Sequence, residues 1–196
     1  MIKSRVTENI HPYREFADAI IIQACDDYRD GYRSISLDRD GTGTEYRIND
    51  AVSFFHSDWY KFLTGIDADY LIKKLNRDIV DKLKEDCIKA WEDIRISEDR
   101  AIAIRKMRHL TRFVRSSKFS EVSDESPREI IAEVNEEALK KLLADYEKAL
   151  KQVDRGKDVE NAMDDIKAIK KFMRSDIFSE MTSLDPEKLI ARMERS

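Results

Sequence analysis

FFHSDWYKFLTGIDADYLIKKL, residues 54–75, decides the fold of this chain, because the stretch returns twice. FVRSSKFSEVSDESPREIIAEV begins at Phe113 and FMRSDIFSEMTSLDPEKLIARM at Phe172, an offset of 59 residues both times. Phe54/Phe113/Phe172, Ser57/Ser116/Ser175 and Ile72/Ile131/Ile190 are identical in all three, and Pro127 and Pro186 fall on one register. An internal period of this length is the signature of stacked supersecondary units. Each serine is a good N-cap for a short helix carrying one inward aromatic, Tyr60, Phe119 or Phe178. That helix ends near Thr64, Ser123 or Thr182. A second cap follows at Asp67, Ser126 or Asp185, with Ala68, Pro127 or Pro186 at the first helical position. Proline there loses no hydrogen bond and already holds a helical φ. Ser126 and Glu129 have the spacing of a capping box.

Working outward, each second cap opens a long periodic segment. Leu71, Leu75, Ile79, Leu83, Cys87, Ala90 and Ile94 form one series; Ile130, Val134, Ala138, Leu142, Tyr146, Ala149 and Val153 form the other. Steps of three and four over seven turns place one apolar stripe on a helix of about 27 residues. Shorter helices lead back to the motif through Ala103, Met107, Leu110 and Val114, and through Val159, Ala162, Ile166, Ile169 and Met173. A helix from about Tyr13 to Arg29 opens the first unit and is expected to bury Phe16, Ile20, Ile21 and Ala24. Between them, Ser34–Leu37 and Thr44–Ile48 flank a Gly-rich stretch that reads as a small β-hairpin near residues 34–48 or as a loop. The expected fold is all-α: three related helical units, 1–75, 76–134 and 135–196, in one compact body, as a bundle or a short repeat array.

Composition agrees. Five Gly and three Pro in 196 residues are too few for the frequent turns of an all-β protein. No apolar run of membrane-spanning length occurs, and MIKSRVTENIHPYREF lacks a signal peptide's apolar stretch, so the expected location is the cytoplasm. Cys25 and Cys87 have no metal-ligand spacing and read as free thiols; no cofactor or metal is expected. Asp38 to Asn49 begins like a calcium loop, but Asn49 stands where a bidentate Glu is needed, so the stretch reads as a solvated turn. His11, His56 and His109 stand apart, no phosphate-binding or zinc motif is present, and a non-enzymatic role is expected.

Charge is the more informative signal. Residues 98–120 hold 7 basic and 2 acidic side chains, whereas 121–196 hold 14 and 19. On a helix Arg105, Arg108, Arg112 and Arg115 form one ridge opposite the apolar stripe, and Lys118 extends it. Like charges so close repel unless compensated. The carboxylates of Asp158, Glu160, Asp164 and Asp165 could compensate them internally; otherwise the ridge is a face for an anionic protein or nucleic acid. Trp59 sits where the other copies have Lys118 and Ile177, and reads as core or as an interface anchor.

The first copy resembles a segment of small, mostly uncharacterised helical proteins from phages and prophages of Gram-positive bacteria. The resemblance rests on Phe55, Ser57, Asp58, Trp59, Tyr60, Thr64, Gly65, Asp67, Tyr70, Leu71, Ile72 and Leu75, and with Ala24–Tyr28 it covers roughly the first 95 residues. It implies a mobile-element origin; with no enzyme motif present, the expectation is a phage accessory protein in the host cytoplasm that binds a macromolecular partner, foremost a protein. A stoichiometric inhibitor of a host defence nuclease, in the manner of an anti-CRISPR, is the specific candidate, and a homodimer is allowed. The alternative is DNA binding, because Gly65-Ile66-Asp67 followed by Leu71 and Leu75 looks like the turn and second helix of a helix-turn-helix. Asp67 and Asp69 would then face phosphates, which is costly.

Overall fold

The computed structural model describes residues 11–39, 41–96 and 100–194. Its described residues form nine α-helices and one 3₁₀ turn, with no strand. α1 spans His11–Ser36, α2 Thr44–Phe55, α3 Asp58–Thr64, α4 Ala68–Ile96 and α5 Arg100–Val114. The 3₁₀ turn Phe119–Glu121 follows, then α6 Pro127–Asp154, α7 Val159–Met173, α8 Asp176–Thr182 and α9 Pro186–Met193. The fold is all-α.

The serine hydrogen bonds read from the sequence recur in all three copies, but the second copy forms only the 3₁₀ turn Phe119–Glu121 where the sequence predicts a short α-helix. The hydroxyls of Ser57, Ser116 and Ser175 donate to the carbonyls of Phe54, Phe113 and Phe172 at 2.7, 2.7 and 2.6 Å. Each also accepts the backbone N–H of the aromatic three residues on, Tyr60, Phe119 or Phe178. Those aromatics are at most 1% exposed. They meet the preceding phenylalanine edge to face at 5.6, 6.0 and 5.8 Å, the favoured geometry for ring quadrupoles. Asp67, Ser126 and Asp185 cap α4, α6 and α9 through their side chains, and Ser126 with Glu129 completes the capping box.

The hairpin near residues 34–48 does not form. α1 continues to Ser36, Asp38 turns at φ 55°, Gly43 follows at φ 108°, and α2 begins at Thr44. Gly43 accommodates a left-handed step between two helices instead of a β-turn. Thr44, Ile48, Ala51 and Phe55, the buried residues of α2, are spaced 4, 3 and 4 apart, a helical period. The calcium-loop stretch includes Asp40, which lies outside the described residues. Phe16 is also a correction: it is 63% exposed, and α1 buries Tyr28 and Tyr32 instead. Ile20, Ile21 and Ala24 are half-buried.

Packing divides the chain into two compact bodies, one running to Leu83 and including Arg112–Asp124, the other made of Lys84–Thr111 and the chain from Glu125 on. In the first, α1 is tied to the start of α4 by Arg29 with Asp78 and by the Tyr28 hydroxyl donating to Asn76, both at 2.7 Å. In the second, the later part of α4 lies against α6, through Lys84–Glu133, Glu92–Lys141 and Arg95–Asp145. The first two of those pairs are each 49 residues apart, so α4 and α6 run parallel there. Trp91 fills the space between them and α7–α8: it is 2% exposed, meets Phe172 and Phe178 at 5.5 and 5.9 Å, and donates its indole N–H to Asn135.

Candidate partner-binding faces

α5 buries Ala103, Leu110, Phe113 and Val114 along one side. Spacing alone then turns Arg105, Arg108 and Arg112 outward, with Arg115 just beyond the helix end, and all four are exposed. Among the described residues no carboxylate pairs with any of them. The two lysines of the same block behave differently. Lys106 reaches the buried Asp86 at 3.1 Å, and Lys118 is held by Glu45 at 3.3 Å and Glu121 at 3.1 Å. Lys118 is therefore part of an ion cluster, while the arginine row stands clear of one. Of the carboxylates that the sequence offered as compensators, Asp158 accepts from Asn161 and Asp164 pairs with Lys167. A row stepping by three, four and three over ten residues extends about 15 Å at 1.5 Å per residue. Such a row can present forked guanidinium donors to carboxylates or phosphates.

The second face is aromatic. Trp59 is 48% exposed, its ring edge-on to Phe54 at 6.0 Å, so it belongs partly to the packing and partly to the surface. Phe62, one turn along α3, is 85% exposed, and Ile66 and Tyr70 follow at 48% and 68%. At the positions of Phe62 and Tyr70 the other copies carry Glu121 and Glu180, and Glu129 and Lys188. The third copy builds the same short helix, α8, without these aromatics. Charged counterparts were the signal in the sequence that they need not be buried.

The remaining chemistry is sparse. Burial, helped by the Asp86 carboxylate, pushes the Cys87 thiol up to about 12, so it is no nucleophile at neutral pH. Desolvation raises the Tyr28 phenol to about 12 as well. Among the described residues no three His, Cys, Asp or Glu side chains are placed to hold a metal, and no helix is long and apolar enough to cross a membrane. No family model, curated protein or solved structure matches the chain.

Proposed function

We propose that the protein is a non-enzymatic binding protein whose α5 arginines engage an acidic surface on a protein partner. The observation that carries this is the row Arg105, Arg108, Arg112 and Arg115, exposed and without a carboxylate among the described residues. Four like charges in one row are unfavourable in the free protein, and an anionic partner removes that repulsion. A protein partner is favoured over nucleic acid by the net charge of −4 and by Asp67 and Asp69, both exposed at the start of α4. Phosphates approaching there would meet carboxylates. The resemblance of the first copy to phage accessory proteins makes a host defence nuclease the specific target to try, with the protein acting stoichiometrically in the cytoplasm.

The test is a titration of a purified candidate partner, and in parallel of a random DNA duplex, with wild type and an Arg105→Glu/Arg108→Glu/Arg112→Glu variant. Three lost surface pairs near 1 kcal/mol each imply about a 100-fold loss of protein-partner affinity. Unchanged affinity for a partner that binds one to one would remove α5 from the interface. Steeply salt-dependent DNA binding abolished in the variant would instead assign the row to nucleic acid.

A further inference from the structure

The repeat supplies an internal template for a second binding site. In α6 and α7 the side chains of Leu142, Ile169 and Phe172 are 3, 1 and 3% exposed, covered in part by α4. Trp91 packs on Phe172, and one turn later the Arg95 guanidinium reaches Asp145 at 2.6 Å. Shifted back by two strides, Leu142, Asp145, Ile169 and Phe172 become Ala24, Asp27, Ala51 and Phe54. Ala24, Asp27, Ala51 and Phe54, with Ile20 and Asp50, line a groove of about 350 Å³ between α1 and α2. Phe54 is half-buried, whereas its counterparts Phe113 and Phe172 are buried. Phe16 just up the helix is exposed, whereas Leu75 and Val134 at its register are buried. Among the described residues nothing fills on α1–α2 the slot that Trp91 and Arg95 fill on α6–α7.

Two substitutions define what fits the open slot. Asn135, which accepts the Trp91 indole N–H, is replaced by Ala17, so a tryptophan here would leave its donor unmet. Ala168 is replaced by Asp50, which adds a second carboxylate to Asp27. Neither Asp27 nor Asp50 has a cationic partner among the described residues, Asp27 accepting only from Gln23. We propose that the α1–α2 groove receives a helix of a protein partner that presents Phe or Leu and, four residues on, Lys or Arg. A second copy of this chain fits poorly, since the register residues on its last long helix are Leu150 and Asp154, and Asp154 would meet Asp27. The site uses none of the α5 arginines and stands or falls separately from them.

The chain itself provides the probe: a peptide of residues 84–96 carrying Cys87→Ala and Trp91→Phe, held helical by a Glu85–Lys89 lactam and checked by circular dichroism. It is titrated into the ¹⁵N-labelled full-length protein. Saturable shifts are expected at the amides of Ala24, Asp27, Asp50 and Phe54, with the tryptophan form of the peptide binding no more tightly. Arg95→Glu in the peptide, or Asp27→Lys in the protein, is expected to weaken binding about 10-fold, and the two together to restore it, as for a complementary charge pair. The proposal is overturned by absence of saturable shifts up to millimolar helical peptide, by shifts confined to α6–α7, or by affinity indifferent to both charge changes.

Discussion

Phe178→Ala is expected to destabilise the protein by about 3–5 kcal/mol, the cost of removing a fully buried aromatic and leaving its cavity. Phe178 is fully buried, packed edge to face with Trp91 and Phe172, and its N–H is held by the Ser175 hydroxyl. Truncation removes both ring contacts, and α8, a single short helix fixed by its cap and this one aromatic, has no other fully buried side chain. Urea unfolding followed by far-UV circular dichroism measures the loss. A cost below about 1 kcal/mol would mean that the motif aromatic is not an anchor.

Lys106→Ala is the second large effect. The Asp86 side chain is 10% exposed and its ammonium partner 27%, so deleting Lys106 leaves a largely buried carboxylate without that ammonium. Breaking such a pair from one side costs about 3 kcal/mol, because the remaining charge keeps its desolvation penalty without its partner. An Asp86→Leu/Lys106→Met protein should recover most of that loss, since neither charge then needs solvation. Equal destabilisation in the single and double variants, measured by the same urea titration, would show that packing and not charge is at stake.

Much of the architecture was legible because caps are local chemistry. Serine, aspartate and proline at fixed offsets place helix starts without knowledge of the rest of the fold, and the stripes of α4 and α6 follow from their period. The hairpin reading went astray where Gly41 and Gly43 drew attention from the 4-3-4 spacing of Thr44, Ile48, Ala51 and Phe55. Phe16 failed for a different reason: periodicity gives the face a side chain occupies, but not whether another element covers it. The outward direction of the arginines was likewise fixed by their spacing. What separated them from Lys106 and Lys118 was not, because Asp86 and Glu45 reach those lysines from other helices. The groove on α1–α2 was invisible until two copies could be laid on each other and one found filled.

Binding through α5 requires an arginine row that is uncompensated in the free protein, and a thermal melt of Arg108→Glu tests this without any partner in hand. Arg108 lies three residues after Arg105 and four before Arg112, so the substitution turns two repulsive helix pairs into attractive ones. Stability should rise by about 0.5–1 kcal/mol, a gain of a few degrees in Tm, shrinking as salt is raised. A lower Tm at low salt would mean that Arg108 already has a partner within the fold, and would contradict the assignment of this face to binding.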